Sequence, residues 1–308
     1  MRIMIAGGGA FGREHLCALC GIGGLTLALA ELHDGRRAAA VSDFGLADSD
    51  TDALALLARF RPEGVIVATP LSAHDGLARA ALALDIPVLV EKPVVADAAG
   101  MEQLCAAEAA SRTFLQPGHI LRFSTPHRAL RDVLMSGEIG SLIAFSSRRY
   151  RDVGHAMQFR DVDPVLMTMI HDIDLALWFD PSIRQSVSAV RRMAKEGGSL
   201  TFARITGPGD TIWDLRSAWL HPGPDLPPDR VEIVGTGGSA EWEAGRGITV
   251  CAAETRHLTY TEENPLVAEL TCFLARIAGH PVEVPVNAAD ALAGLRVAGM
   301  VISVLERP

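Results

Sequence analysis

The chain opens with a short apolar run from Arg2 to Ala6, and similar runs return at Leu25 to Ala30, Gly64 to Ala68 and Pro87 to Val90. Each is too short for a helix and rich in aliphatic residues, the pattern of a strand buried on both faces. Between them lie helically spaced segments: Arg13 to Leu16 onward, Asp52 to Phe60, and His74 to Leu84. Strands alternating with helices in this way predict a parallel, doubly wound sheet. From Leu115 the rhythm changes. Gln116-Pro117-Gly118-His119 reads as a turn-rich junction, and a helix from Pro126 to Ser136 ends at Gly137-Glu138-Ile139-Gly140. Strand-like segments follow at Leu142 to Tyr150, Val187 to Arg192, Leu200 to Ile205, Ile212 to Trp219, Val231 to Val234 and Ala240 to Trp242. With Gly/Pro turns and few helices between them, they predict a mainly antiparallel open sheet. Pro164 to Trp178 reads as a largely buried helix, and a terminal helix over 288–305 packs back on the body. The expected fold is α/β in two domains: a doubly wound parallel domain over 1–120 and an α+β domain over 121–308.

The first strand runs directly into Gly7-Gly8-Gly9-Ala10-Phe11-Gly12, a G-x-G-x-x-G opening onto a helix. Glycines suit a tight turn, close approach to a pyrophosphate, and close packing of helix on strand. Phosphates would then face unpaired N–H groups at the helix N-terminus. The pattern makes Gly7, Gly9, Ala10, Phe11 and Gly12 candidate dinucleotide contacts. Glu31 ends the second strand, 19 positions past Gly12. An acid there accepts from ribose hydroxyls and favours NAD over NADP. His33, Arg36 and Arg37 lie just beyond, so NADP is not excluded; their plain alternative is a solvated helix face. Thr69-Pro70 with His74, and Glu91-Lys92-Pro93, close the two further strands. All three features fall at strand carboxyl ends, on the rim where open α/β sheets bind ligands. Lys92 at such an edge is placed to exchange a proton with a substrate oxygen.

At 308 residues, 49% hydrophobic and 21% charged, the chain has an ordinary globular composition and length for two cores. Its 28 basic and 37 acidic residues give a net charge of −9, which argues against a nucleic-acid or anionic-membrane surface. No uninterrupted apolar stretch approaches the ~18 residues of a membrane span, and the N-terminal run is too short for a secretion signal. Five cysteines, an odd number, argue against a disulfide framework and for a reducing, cytoplasmic setting. Cys17 and Cys20 read as residues of a packed helix, and no metal site is expected. Gly235-Thr236-Gly237-Gly238 precedes a strand and reads as a hairpin turn.

The second chemical stretch is the helix around His171. Asp174 lies three residues on, on the same face, where it can orient the imidazole; Asp172 is rotated about 100° away. A buried histidine is more often simply a satisfied core group. Arginines gather nearby in the sequence: Arg122, then Arg148, Arg149 and Arg151 around Tyr150. Along a strand Arg149 and Arg151 share one face and Arg148 and Tyr150 the other. One pair is suited to clamp a carboxylate or phosphate, or to form an exposed sheet edge. Arg122, Arg149, Tyr150, His155, Asp172 and Asp174 are the candidate substrate residues.

GGGAFG, Glu31, the ATP of 68–70 followed by His74, and EKP at 91–93 together resemble the Gfo/Idh/MocA family of nicotinamide-dependent oxidoreductases. GHILRF, GEIG and VEIVGTGG extend the resemblance over nearly the whole chain. It implies an N-terminal Rossmann domain, NAD as cofactor, and a homodimer or homotetramer. It also implies hydride transfer to or from a secondary alcohol or ketone of a polyol, sugar or cyclic hydroxy compound. Within it Lys92 serves the substrate hydroxyl and touches the cofactor ribose, and His171 joins it in proton transfer beside the nicotinamide. The family often has an aspartate four positions before that histidine. Here the position is Met167, which neither holds charge nor accepts a strong hydrogen bond. The alternatives are a tightly held cofactor in an internal redox cycle, imine reduction, or nucleotide binding without catalysis.

Overall fold

The computed structural model describes residues 1–182, 186–207, 211–223 and 225–307. It divides into two compact units, Met1–Phe123 with Glu263–Leu292, and Ser124–Glu262 with Ala293–Pro308. The first unit alternates strand and helix: β1 (Arg2–Ala6), α1 (Ala10–Ile22), β2 (Thr26–Ala30), α2 (Asp34–Phe44), β3 (Asp48–Asp50), α3 (Ala53–Phe60), β4 (Gly64–Val67), α4 (His74–Ala83), β5 (Val88–Glu91), α5 (Ala98–Ala110) and β6 (Leu115–Gly118). All six strands are parallel, in the order β3-β2-β1-β4-β5-β6. The chain builds outward from β1 in one direction and from β4 in the other, so the switch point lies between them.

Two of these strands depart from the expectation. Gln116 to Gly118, expected in the turn-rich junction Gln116-Pro117-Gly118-His119, belong to the edge strand β6, with Pro117 in register with Val90. An edge tolerates a proline because one side of the strand needs no ladder donor. The acidic β3 has no apolar pattern to reveal it. Arg59 of α3 binds both its aspartates, Asp48 at 2.9 Å and Asp50 at 2.8 Å.

The second unit starts with α6 (Thr125–Met135), β7 (Leu142–Asp152) and α7 (Val153–Gln158). A π-helical turn over Val165–Met169 leads into α8 (Ile170–Phe179). Then come β8 (Ser186–Met193), β9 (Ser199–Thr206), β10 (Ile212–His221), β11 (Arg230–Gly235), β12 (Gly238–Glu243), β13 (Gly247–Cys251) and β14 (Thr255–Leu258). The eight strands order β14-β13-β12-β11-β7-β10-β9-β8, antiparallel except for the β7–β10 pair. Alternation along β7 turns Phe145, Ser147 and Arg149 inward, where Phe145 meets Phe179 of α8 at 5.7 Å between rings. Ala144, Ser146, Arg148 and Tyr150 face the other side. Gly235 pairs with Gly238, so GTGG is the hairpin turn the sequence suggests.

The chain then returns to the first unit through α9 (Pro265–Ile277), a return the single 121–308 domain does not include. Asn264 caps the helix by accepting from Leu266 and Val267, and Pro265 occupies its first turn. Leu266, Leu270, Phe273 and Leu274 then pack among Ile3, Leu16 and Leu19. Burying each such side chain stabilises by ~1.5–3 kcal/mol. The last helix, α10 (Ala288–Leu305), is long and apolar enough by length and composition to cross a bilayer. In the protein it buries Ala291, Leu295, Val297, Ala298 and Val301.

Candidate active site

In the first unit β1, β4 and β5 are neighbours, so the three loops singled out in the sequence leave adjacent strand ends. Gly7 has φ +102°, and a Cβ on it would press on the carbonyl of Ala68. One on Gly12 would run into the carbonyl oxygen of Gly7. These two glycines let the turn, the helix and the β4 loop pack closely. Gly9 differs: nothing lies within 4 Å of a Cβ there, so its side of the loop is open. It caps α1 with no side-chain acceptor and no acid in the first turn. The helix thus offers unpaired N–H groups and the positive end of its dipole to an anion, which fits a pyrophosphate.

Glu31 stands beside this loop at the end of β2. Its Oε2 accepts the Gly8 N–H at 2.7 Å, while Oε1 accepts from His33 N at 2.8 Å and Arg36 Nη2 at 2.8 Å. Burial opposes its ionisation, but these hydrogen bonds and the Arg36 charge outweigh it and hold the carboxyl below its usual range. Oε2 takes only the Gly8 donor among these contacts, so it retains capacity for a ribose hydroxyl.

The β4 and β5 loops are tied together by His74. Its Nδ1 lies 3.0 Å from the Pro93 carbonyl oxygen and its Nε2 2.8 Å from that of Thr69. The Lys92–Pro93 peptide is cis. Lys92 is half-buried at the strand end. The preceding Glu91 turns inward, 2.7 Å from Nε2 of His15 on α1.

In the second unit the π-helical turn sits directly before His171: the Ile170 N–H donates to the Val165 carbonyl, five residues back. This widened turn alters the facing of every residue before it relative to His171, and such turns gather at functional sites. Asp172 points to the sheet, where Arg149 grips it with Nε at 3.1 Å and Nη2 at 2.9 Å. Nη1 of the same guanidinium donates to Asp229 at 2.7 Å, and Arg151 adds a second charge to Asp229. Burial pushes the Asp172 carboxyl up against the pull of Arg149, whereas Arg149 and Arg151 hold Asp229 low despite its burial. His155 on α7 packs against Phe159 at 4.7 Å and Trp219 at 5.5 Å between rings.

The model of the oxidoreductase family with an NAD-binding Rossmann fold, Gfo/Idh/MocA, matches residues 1–119. Over these residues the chain is similar to the Gfo/Idh/MocA family. The fold that this model describes binds NAD, the cofactor that Glu31 leads one to expect. The inositol 2-dehydrogenase of Acidothermus cellulolyticus is 32% identical over 207 residues, covering 65% of this chain and 60% of that protein. The chain therefore spans less than two thirds of the length of this curated relative. Among solved structures, UDP-N-acetylglucosamine 3-dehydrogenase GnnA from Acidithiobacillus ferrooxidans superimposes with a TM-score of 0.86 at 23% identity, covering 99% of this chain and 98% of that one. A putative myo-inositol dehydrogenase from Sinorhizobium meliloti 1021 gives 0.82 at 20% identity, covering 99% and 97%. At these identities the likeness is one of fold.

The structure places several of the candidate residues as follows. Arg149 and Asp172 bind each other rather than face outward, because a buried guanidinium needs a buried acid. Tyr150 lies on the sheet face opposite α8, stacked on His221 at 5.6 Å. Arg122 is 2% exposed in the first unit, donating to the Pro285 carbonyl and paired with Asp290 at 3.3 Å. The His74 and Glu91 side chains are engaged within the first unit, by the Thr69 and Pro93 carbonyls and by His15. Cys17 and Cys20, expected to be packed, are exposed on α1. The sequence reading passed over His15, Asp229, Trp219 and Glu269. His15 was within reach, since it follows the last glycine of the motif by three residues on a helix. The other three carry no local signal, because their partners are distant in the chain.

Proposed function

We propose that this chain is an NAD-dependent dehydrogenase of a cyclic polyol, with Lys92 as the proton carrier and His171 as its partner. The observation that carries the reading is the adjacency of the glycine loop, the Thr69-Pro70 loop and Lys92 on neighbouring strand ends. The similarity to an inositol 2-dehydrogenase supports a ring-bearing secondary alcohol as the substrate. NAD, when bound, accepts the hydride from the carbinol carbon. Gly9 and the N-terminus of α1 hold the pyrophosphate, and Glu31 Oε2 accepts from the ribose. Thr69 and Pro70 line the cofactor side, with Phe11 beside the glycine loop. Lys92 takes the proton of the substrate hydroxyl as the carbonyl forms. His171 relays it, with Asp174 one turn further along α8 orienting the imidazole in place of the acid that Met167 lacks. His155 borders the substrate on the aromatic wall with Trp219. The five cysteines, none of them in a disulfide among the described residues, suit a cytoplasmic enzyme.

The open face of the eight-stranded sheet completes the reading as a homo-oligomer interface. One row across it runs Val190, Phe202, Arg216, Arg148 and Arg230, and a second runs Arg204, Asp214, Ser146 and Glu232. Apolar and oppositely charged groups so interspersed suit a second copy of the same face.

The test is NADH formation from myo-inositol and related cyclic polyols, followed by absorbance, with Lys92→Ala alongside. The variant is expected to bind NADH as the parent does and lose turnover by about 10²–10⁴-fold. A parent that oxidises none of these polyols, or a variant that keeps its turnover, overturns the reading.

A further inference from the structure

The strand that delivers Lys92 to the rim also carries an acid into the core. Glu91 Oε1 accepts from His15 Nε2 at 2.7 Å, and Oε2 accepts the Lys92 backbone N–H at 3.3 Å. Gly118 on β6 makes the room, since a Cβ there would come within 3.1 Å of Oε2. From α9 comes a second acid, Glu269, which is 0% exposed. Neither of its carboxyl oxygens has a hydrogen-bond partner among the described residues. The other polar groups around it are engaged elsewhere. Gln116 Nε2 donates to the Glu269 backbone carbonyl at 3.3 Å. Arg276 donates to Gln116 Oε1 at 3.1 Å and lies over the Phe114 ring. Cys272 Sγ reaches the Glu283 carbonyl, Glu108 accepts the Leu115 N–H, and His74 binds backbone carbonyls.

Two carboxyls in one dry environment do not both ionise. Which one carries the charge is decided by donors. Glu91 has a donor on each oxygen and Glu269 has none on either, so the charge settles on Glu91 and the proton stays on Glu269. Desolvation first, and then the charge of Glu91, push the Glu269 carboxyl well above its ordinary value. One negative charge is thus buried directly behind the residue at the strand end.

We propose that Glu91, gripped by His15 and kept free of a competing charge by a neutral Glu269, is a positioning residue for Lys92. Its carboxylate anchors the backbone at the end of β5, and its fixed charge strengthens the amine as acceptor of the substrate's proton. This inference rests on the reading of Lys92 as proton carrier, but its test needs no substrate.

The chain contains only two lysines, Lys92 and Lys195. Protein grown on isotopically labelled lysine therefore gives two side-chain NMR signals, and Lys195→Arg assigns them. Glu91→Gln is expected to lower the titration midpoint of Lys92 by about one pH unit, the lower end of the effect of losing a nearby opposite charge. Glu269→Gln, which imitates the protonated acid, is expected to leave it unmoved. An unmoved midpoint in Glu91→Gln, or an equal shift in Glu269→Gln, overturns the proposal. Should Glu91→Gln fail to fold, His15→Ala is read in the same way, with a downward shift expected and an unmoved midpoint decisive against. Thermal melting gives an independent measure. A carboxyl raised in the folded state contributes stability below its unfolded value of about 4.5 and loses it as pH rises. The parent should therefore lose melting temperature relative to Glu269→Gln as pH rises from about 5 to 9; parallel curves mean Glu269 is not the proton holder. A failed polyol screen would leave both measurements standing, so the two ideas fail separately.

Discussion

His127 shows what burial does to a single titratable side chain. Its Nδ1 lies 2.8 Å from Ser124 Oγ and its ring packs on Trp242 at 4.7 Å. Burial, and then the positive charge of Arg149, drop its pKa to about 3. With the folded value below the ordinary 6.5, its contribution to stability is intact above pH 6.5 and is lost as pH falls toward 3. One proton corresponds to a slope of about 1.4 kcal/mol per pH unit. Urea unfolding of the parent at pH values from about 6.5 to 4 should show this slope in excess of that in His127→Gln. Equal slopes would mean the imidazole is already charged in the fold. The same neighbourhood explains why the arginines misled the sequence reading. A guanidinium beside an aromatic on a strand looks alike whether it waits for a substrate or for an acid of its own chain. Asp172 and Asp229, the acids that settle it, are 23 and 80 positions from Arg149. By contrast the positions of the glycine loop, Glu31 and Lys92 are legible because each lies within one strand–loop junction.

At the scale of elements, what could be read was whatever repeats locally. Strands β1, β2, β4 and β5 stand where apolar runs placed them, and β7 to β12 where alternation placed them, because one or two buried faces impose the pattern. The elements missed owe their form to distant partners. β6 is a strand because β5 pairs with it, Pro117 notwithstanding, and α9 is anchored by α1 and β1 residues more than two hundred positions earlier. The π-helical turn before His171 leaves no trace in residue type. Docking of α9 has a measurable cost: Leu270→Ala, at a fully buried position, should destabilise by about 2–5 kcal/mol in chemical denaturation. Leu54→Ala on α3, 54% exposed, should change stability by about 0.5 kcal/mol or less. A Leu270 variant as stable as the Leu54 one would show that the helix is not part of the core.

For the whole molecule, the proposed homo-oligomer rests on the open sheet face. Val190 and Ile212 are exposed apolar residues on it, and Arg204, Arg216 and Asp214 provide charges of both signs. Light scattering at micromolar concentration is expected to give a dimer or tetramer, and Val190→Glu with Ile212→Glu to give the monomer mass without loss of folded structure. A monomeric parent would remove the face from consideration.

Because α9 rejoins the unit that β6 left, residues 124–262 are spliced into the dinucleotide-binding unit rather than appended after it. A shortened gene that stops at the end of β6 leaves Leu16 and Leu19 without the leucines that cover them. A gene that bridges Phe123 to Glu263 with a brief linker keeps them covered. The inserted segment, which carries His171, is thereby bounded by two points in the first unit, and grafting another insert between them would keep the glycine loop and Lys92 while altering what is offered to them.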